Sequence, residues 1–472
     1  MKQDSIGKIG LVTGVVLLLL FTLLPVPAGM TALSFRMVGI VLLMAVWWLT
    51  EAMEMGVTAL LPLILLPVYG VCTPAKAAGA YINTSLFLFM GGFMIALAME
   101  YSGLHIRIAM TALKKFGTKP RNVILSVMLV TWFLSMWMSN TATVLMIVPT
   151  CMAIASGFAD KATKGFLNPL LLGTAYAASL GGMATFVGSA PCGMYAAMAE
   201  QNPDMGTSFV QWMLFCLPLT LVMLFLCWLL LVRFLYPVWN DNESLSPEYV
   251  DMQLAKIGNM KKHEARVLMI FIFVAVMWLV RGLVSATWTT KVSDASIAIA
   301  GAIGMFMAPN GKGGKVLNWD VAKKLPWDVL ILFGGGLCLS MGVTESGLGR
   351  DISVAFASLG HISPFLFLFI VVSAVVFITE VMSNTATATL LIPIMYAVAT
   401  GMGINARVLV LPVTLATGMA FMLPVATPPN AIVFGMKTLS VKEMGKAGLI
   451  MNIVSIIVIT LASYFILPGV NW

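Results

Sequence analysis

The five-residue stretch Ser-Asn-Thr-Ala-Thr occupies positions 139–143 and occurs again at positions 383–387, 244 residues later. Each copy lies near the middle of a long apolar segment, Val123 to Ala155 in the first half and Phe365 to Thr400 in the second. In a membrane, a polar interruption of this kind is tolerated only where it is buried in protein or lines a watery cavity. Each segment is therefore predicted to be a re-entrant hairpin, in which two short helices meet at a polar tip.

The composition requires a membrane environment. Of the 472 residues, 60% are hydrophobic and 10% are charged, and the mean hydropathy is +0.98, whereas soluble domains have about 45–50% apolar and about 25% charged residues. This excludes a water-soluble enzyme. The net charge of +8 is interpreted as a signal of membrane orientation and not of nucleic-acid binding. The six cysteines stand singly without metal-ligand spacing, so neither a disulfide framework nor a zinc site is predicted.

Further apolar segments are long enough to cross a bilayer, which requires about 20 residues. The predicted spans, about eleven in number, are Ile9–Val26, Met37–Leu49, Met55–Tyr69, Leu86–Met110, Leu170–Val187, Phe209–Tyr236, Val267–Val284, Ala295–Met307, Val329–Met341, Val408–Val425 and Leu449–Leu467. The fold class predicted is an all-α polytopic membrane protein with two re-entrant hairpins.

The distribution of basic residues predicts the orientation. With a cytoplasmic N-terminus and hairpins that leave on the side where they enter, most of the 27 Lys and Arg residues fall on cytoplasmic segments, as the positive-inside rule requires. Counting either hairpin as a full span destroys this bias. We therefore expect a protein of the inner (plasma) membrane with its C-terminus outside.

The doubled motif is part of an inverted repeat. The offset of 244 also pairs Pro149 with Pro393 and Gly157 with Gly401, and an odd number of crossings separates the copies. Inverted repeats with broken helices are typical of secondary transporters. The predicted division is a first repeat at 1–236 (scaffold 1–120, hairpin and broken helix 121–200, helix 207–236), a cytoplasmic connector at 237–264, and a second repeat at 265–472 (scaffold 265–360, hairpin and broken helix 361–436, last helix 447–468).

A second pair of motifs predicts the broken helices. Residues 188–192, Gly-Ser-Ala-Pro-Cys, align with residues 426–430, Ala-Thr-Pro-Pro-Asn. Proline lacks an N–H donor and interrupts a helix, so backbone carbonyls are freed before it and a new helix begins after it. We expect both sets of freed groups near the middle of the membrane.

The tips carry the chemistry of a cation site. Ser139 follows Ser135, and Ser383 follows Thr379, by four residues, a spacing that predicts one shared helix face for each pair. Hydroxyl, amide and carbonyl oxygens are hard, uncharged ligands that suit an alkali cation. The helix that starts after each tip offers N–H groups to an anion. Because neither tip nor break contains Lys, Arg or His, an anionic substrate would depend on helix dipoles and co-bound cations, which couples the fluxes.

Glu380 interrupts the symmetry of the hairpins, because its repeat partner is Met136. A carboxylate within a membrane segment is a functional hypothesis by default. Two roles remain open at this stage: a proton or cation coupling site, and a structural group paired with a hydroxyl or the backbone.

At these motifs the sequence resembles the divalent anion/sodium symporter family, whose members carry di- and tricarboxylates or sulfate, and the resemblance covers nearly the whole chain. It implies a homodimer with elevator-type alternating access and two sodium ions beside the substrate. The implied ligands are Ser135, Ser139, Asn140 and the Gly188 carbonyl for one sodium, Thr379, Ser383, Asn384 and the Ala426 carbonyl for the other, and Asn140, Thr141, Ser189, Asn384, Thr385 and Thr427 for the substrate carboxylates. Cys192 departs from the family, which often has Asn there.

The function predicted is sodium-coupled import of a small dicarboxylate such as succinate, malate or fumarate. A sodium-independent carboxylate exchanger, or a citrate or sulfate carrier of the same fold, is the nearest alternative. An ion channel has less need of an inverted repeat. An intramembrane hydrolase needs a nucleophile and a base within reach, yet no His accompanies Ser139 or Ser383 in the membrane, so the chain is not predicted to be an enzyme.

Overall fold

The structure is a computed structural model that describes residues 2–116, 119–155, 163–238, 255, 257–284, 291–311, 313–357 and 363–470. Helices joined by loops make up this part of the chain, and its sole β contact is an isolated bridge between Pro309 and Lys315. Within these ranges, 8 helical segments are long and apolar enough to cross a membrane, and shorter apolar helices accompany them. The predicted all-α polytopic fold class is confirmed.

The first half contains the spanning helices, hairpin arms and short connecting helices of one repeat. In chain order they are α1 (Lys2–Leu23), α2 (Ala32–Thr50), α3 (Met55–Thr58), α4 (Leu61–Val68), α5 (Pro74–Gly79), α6 (Thr84–Ser102), α7 (Leu104–Phe116), α8 (Pro120–Ser135), α9 (Asn140–Ala155), α10 (Thr163–Gly182), α11 (Ala190–Gln201) and α12 (Phe209–Leu229). A π-helical turn at Leu230–Leu235 extends α12.

The second half repeats this order after the connector, of which residues 239–254 and 256 lie outside the described residues. Its helices are α13 (Lys262–Leu283), α14 (Asp294–Met307), α15 (Trp319–Ala322), α16 (Trp327–Glu345), α17 (Leu348–Ala357), α18 (Pro364–Val381), α19 (Asn384–Gly401), α20 (Ala406–Thr417), α21 (Pro428–Gly435) and α22 (Val441–Leu461). A π-helical turn at Ala462–Ile466 follows α22.

Both predicted pairs of helices form, as α8 with α9 and as α18 with α19, each pair separated by a short non-helical tip. That both arms of a pair enter the membrane from one side stays a prediction. The serine of each motif stands directly before the second arm. The Ser139 hydroxyl accepts the Ala142 N–H at 3.2 Å, and the Ser383 hydroxyl accepts the Ala386 N–H at 3.4 Å, as N-cap residues do. The predicted stacking of each serine on the residue four positions earlier is wrong, because the backbone leaves the helix between them.

Both predicted breaks also form. In the first half α10 ends at Gly182 and α11 begins at Ala190, and in the second α20 ends at Thr417 and α21 begins at Pro428. A proline occupies the first or second position of each following helix, where its missing N–H costs no hydrogen bond.

Several predicted spans are wrong in their length. Leu170–Val187 and Val408–Val425 extend past the helices, because α10 ends at Gly182 and α20 ends at Thr417, and Met55–Tyr69 is divided between α3 and α4. The segment Leu86–Met110 is divided between α6 and α7, because Gly103 adopts a left-handed φ of 77°, a conformation that glycine reaches without strain. Gly347, 244 positions later, has a φ of 81° and separates α16 from α17 in the same way. The helices α7 and α17 then turn to pack against the hairpin arms α8 and α19.

The two halves exchange contacts where their helices are broken. The second part of the first broken helix, α11, packs against the hairpin arm α19, and its counterpart α21 packs against α9. These contacts between the halves bring the two tips and the two breaks into one region of the molecule.

Candidate functional site

The first tip gathers oxygen atoms around the start of the first break. Ser135 Oγ donates to Asn140 Oδ1 at 2.8 Å. A Cβ added to Gly182 would lie 2.3 Å from the same amide oxygen, and a Cβ added to Gly188 would lie 2.7 Å from the Gly182 carbonyl oxygen and 2.8 Å from the Ser135 carbonyl oxygen. Only glycine allows this approach, which leaves amide and carbonyl oxygens facing a small common space.

The second tip repeats this arrangement with one more acceptor. Thr379 Oγ1 lies 2.8 Å from Asn384 Oδ1 and 2.8 Å from the Thr417 carbonyl oxygen. A hydroxyl has a single hydrogen, so it can donate to one of these two oxygens at a time. Three oxygens that share one hydrogen form a site with surplus lone pairs, which favours a cation without requiring a carboxylate.

Both tips and both breaks line one cavity of about 1380 Å³. The predicted site residues in its wall are Ser139, Asn140, Thr141, Gly188, Ser189, Ser383, Asn384, Thr385, Ala426 and Thr427. Ser135 and Thr379 do not line it; they are fully buried behind the tips. The structure thus brings the predicted residues together in two layers, with these two hydroxyls orienting the asparagines that face the cavity.

The cavity receives positive potential from backbone dipoles. The helices α9, α11, α19 and α21 all begin in its wall, and a helix N-terminus carries roughly half a positive charge. Their first residues offer N–H groups to an anion. This region can therefore bind an anion of small size without an arginine or lysine at the tips.

Charged side chains also line the cavity. Glu51, Glu100 and Asp328 stand at helix ends there, and Lys324 is the basic residue of this wall in the described part of the chain. Lys324 Nζ donates to the Tyr101 hydroxyl, and this hydrogen bond raises the pKa of Lys324. Among the described residues, the cavity wall thus carries three acidic side chains and one basic side chain, so the attraction for an anion has to come mainly from the backbone dipoles.

Glu380 has a structural environment. Its side chain is 3% exposed, and it accepts the N–H groups of three successive residues, Phe421, Met422 and Leu423, at 2.7, 2.9 and 3.1 Å. Asn452 Nδ2 donates to it at 2.8 Å. These donors satisfy the carboxylate, which does not line the cavity. Of the two roles left open by the sequence, the geometry favours the structural one.

Cys192 occupies the position that Asn430 has in the second half. Asn430 Nδ2 donates to the Ala420 carbonyl oxygen at 3.2 Å, whereas Cys192 Sγ lies 3.6 Å from the carbonyl oxygen of Gly182, the corresponding residue. A thiol is a weak donor, yet the first break forms with it.

Sequence reasoning missed Met183 and Gly418, which line the cavity between the two breaks. Met183 stands inside an apolar run, and Gly418 follows a helix end whose position the hydropathy pattern did not reveal. Their proximity depends on contact between the halves, so no local pattern could have found them.

Inverted repeats, two hairpins and two broken helices around a shared cavity define the architecture of a secondary transporter. The family model of the sodium:sulfate symporter transmembrane region matches residues 7–468. The chain belongs to this family.

Curated relatives match almost the full length. The sodium-dependent dicarboxylate transporter SdcS of Staphylococcus saprophyticus is 36% identical over 486 residues, which cover 99% of this chain and 93% of that protein. SdcS of Staphylococcus aureus strain MRSA252 is 37% identical over 484 residues, with 99% and 92% covered. Among solved structures, the YdaH transporter of Alcanivorax borkumensis is similar with a TM-score of 0.56 and 14% identity over 87% of this chain and 89% of that one. That likeness concerns the fold alone.

Proposed function

We propose that this chain is a sodium-coupled secondary transporter that imports a small dicarboxylate such as succinate, malate or fumarate. The observation that carries the proposal is the single cavity into which two uncharged, oxygen-rich tips and four helix N-termini converge. The full-length relatives named sodium-dependent dicarboxylate transporters support the choice of ion and substrate.

Each tip would hold one sodium ion. At the first, the oxygens of Ser135, Ser139 and Asn140 and the Gly188 carbonyl are the proposed ligands. At the second, they are the oxygens of Thr379, Ser383 and Asn384 and the Ala426 carbonyl. The hydroxyl of Ser135 or Thr379 orients the asparagine amide oxygen, which is the ligand that faces the cavity. Neutral ligands leave the positive charge of the ion uncompensated.

That uncompensated charge is available to the substrate. One carboxylate would meet Asn140, Thr141 and Ser189, and the other Asn384, Thr385 and Thr427. Without sodium, two carboxylates in this cavity would face helix dipoles alone, so the ions raise the affinity for the substrate. The coupling free energy is reciprocal, and the substrate strengthens sodium binding by the same factor.

Transport would follow an elevator mechanism in a homodimer, with the hairpins and broken helices moving against the remaining helices. The cavity reaches Ile6 at the start of α1, so with a cytoplasmic N-terminus it faces the cytoplasm of the inner membrane. On the opposite face, the Glu200 carboxylate at the end of α11 accepts the Ser85 N–H at 2.9 Å and the Ser85 hydroxyl at 2.7 Å, at the start of α6. This contact would close the outer side and open during each cycle.

Uptake into proteoliposomes tests the proposal. Succinate uptake is expected to require an inward sodium gradient and to accelerate with an inside-negative potential. Uptake that persists after choline replaces sodium, and that is driven by succinate loaded inside, would identify an exchanger instead. Competition by citrate or sulfate that exceeds competition by malate would favour a carrier for those anions.

A further inference from the structure

One thioether bridges the two breaks. Met183 follows the end of α10, and its Sδ lies 3.2 Å from Ser189 Oγ and 3.7 Å from Cys192 Sγ, both on the first broken helix. A Cβ added to Gly418 of the second broken helix would lie 2.5 Å from the same sulfur. Gly418 directly follows Thr417, whose carbonyl oxygen belongs to the second tip's oxygen cluster. The Met183 side chain therefore separates the polar groups of one half from those of the other.

The surroundings hold this side chain in place. Met183 lines the cavity together with Gly418, yet it is only 1% exposed, so its side chain is closely packed on nearly all sides. Its backbone carbonyl accepts the indole N–H of Trp212 at 3.1 Å. We refer to the Met183 side chain, held in this way between the two breaks, as the wall, because it sets a fixed separation between them.

The Met183 sulfur can also accept a hydrogen bond from the hydroxyl of Ser189, a proposed substrate ligand. Thr427 uses its hydroxyl to cap α21 by accepting the Asn430 N–H at 3.3 Å, but Ser189 makes no such cap on α11. The Ser189 Oγ instead lies 3.2 Å from Met183 Sδ, to which it can donate, and 3.2 Å from Cys192 Sγ. A thioether is a weak acceptor. A carboxylate that arrives at Ser189 can therefore replace the sulfur at little cost.

We propose that Met183, packed on Gly418, determines which dicarboxylates are accepted, by setting the separation between the two carboxylate-binding ends. The inference rests on the proposed function. A four-carbon dicarboxylate has two charged ends and an apolar middle, and if the ends bind at the two tips, the middle lies beside this wall. An apolar wall favours methylene groups and disfavours an additional carboxylate, which would lose water without gaining a partner.

The carbon-chain length of the dicarboxylate provides the test. Met183→Ala removes the thioether and joins its volume to the cavity, so the five-carbon glutarate should gain on succinate by roughly tenfold, the discrimination that one methylene provides in an apolar pocket. Met183→Leu keeps the volume and should retain the wild-type preference. The readout is the ratio of succinate and glutarate concentrations that halve the sodium-driven uptake of labelled succinate in proteoliposomes.

Gly418 provides a matched variant on the other side of the wall. Gly418→Ala places a methyl group against the sulfur and should weaken succinate uptake, because neither group can move freely in a closed gap. In the double variant Met183→Ala/Gly418→Ala, the new methyl enters the emptied space, so the preference should return toward that of the wild type. Two independent effects would instead simply add.

The outcomes separate the two claims. A wild-type protein that takes up no dicarboxylate with sodium would overturn the proposed function and this inference with it. A functional wild type whose succinate preference is unchanged in Met183→Ala, or equally lost in Met183→Leu, would overturn this inference alone. If Met183→Ala does not remain monodisperse in detergent, Met183→Val replaces it, with a smaller shift expected in the same direction and an unchanged ratio as the contradicting result.

Discussion

The two breaks have the same backbone plan but are stabilised in different ways. In the second, the Glu380 carboxylate accepts the N–H groups of residues 421–423, and Asn430 donates to the carbonyl oxygens of Ala420 and Leu423 at 3.2 and 3.1 Å. In addition, Tyr176 Oη donates to the Phe421 carbonyl oxygen at 2.9 Å. Strong and partly charge-assisted hydrogen bonds therefore stabilise the non-helical backbone between α20 and α21.

The first break is held by fewer and weaker hydrogen bonds. Thr185 Oγ1 donates to the Met136 carbonyl oxygen and accepts the Gly188 N–H, while sulfur atoms of Cys192 and Met183 fill the places of stronger polar groups. Met136, the repeat partner of Glu380, contributes no carboxylate. The inverted repeat therefore preserves the path of the chain and not the interactions that hold it.

The two breaks therefore differ in how strongly the protein's own hydrogen bonds stabilise them. The second break has its hydrogen-bond partners within the protein, whereas the first break would gain its strongest partners from the proposed ion and carboxylate. The following substitutions test that contrast, beginning with the largest expected effect.

Replacement of Glu380 should have the most severe consequence. Glu380→Ala leaves three backbone N–H groups without their acceptor, one of them buried and two partly buried. A buried N–H without an acceptor costs about 1–3 kcal/mol, and the sum is a large part of the total stability of a typical protein. We expect loss of monodisperse protein after extraction in detergent, measured by size-exclusion chromatography. Met136→Ala is the matched variant of the first half, and an equally severe defect there would contradict the contrast.

The helices α7 and α17 offer a second comparison at equivalent positions, Arg107 and Asp351. Arg107 donates to Glu264 at 2.7 Å and to the backbone carbonyl oxygen of Gly258 at 2.8 Å, whereas Asp351 accepts from the Ser34 hydroxyl. Removing one member of a buried ion pair costs about 3–5 kcal/mol, and the cost is smaller here because Arg107 is only partly buried. We expect Arg107→Ala to lower the thermal unfolding temperature clearly and Ser34→Ala to lower it less; the opposite order would refute this reading.

The loss of stability should differ less between substitutions of Asn430 and Cys192, the equivalent residues at the two breaks. Asn430→Ala removes two hydrogen bonds to buried carbonyl oxygens and should cost about 1–3 kcal/mol. Cys192→Ala removes only weak sulfur contacts and should cost less than about 1 kcal/mol. Thermal unfolding of both variants, with and without sodium and succinate, measures the difference. Equal losses would show that the sulfur contacts stabilise the first break as firmly as the amide stabilises the second.

The smallest effect is expected from substitution of the buried hydroxyl residues behind the tips, Thr379 and Ser135. Thr379→Ala removes a hydroxyl that lies within hydrogen-bond distance of two acceptors, and Ser135→Ala removes one for which a single side-chain acceptor, Asn140 Oδ1, is seen. The sodium concentration for half-maximal uptake should rise by about threefold to tenfold in the first variant, which corresponds to roughly 1 kcal/mol, and by less in the second. Thr379→Ser keeps the hydroxyl and serves as the control. A larger shift for Ser135→Ala would reverse the assigned difference.

Local patterns in the sequence predicted the hairpins, the breaks and the residues that line the cavity, because polar interruptions and prolines act on the chain where they stand. The surroundings of Glu380 were not predictable, since its donors lie about 40 and 70 positions away along the chain. Met183 and Gly418 were missed for the same reason. The exit from the helix before Ser139 was also missed, because helical spacing alone does not reveal an N-cap.

The central claim is that each tip holds one sodium ion and that both ions are needed to hold the dicarboxylate. The most direct test is the sodium dependence of succinate uptake in proteoliposomes by the wild type, Asn140→Ala and Asn384→Ala. The account predicts a sigmoidal dependence for the wild type, and for each variant a less sigmoidal curve together with weaker succinate affinity. A variant that keeps both the sigmoidal curve and the wild-type succinate affinity would contradict it.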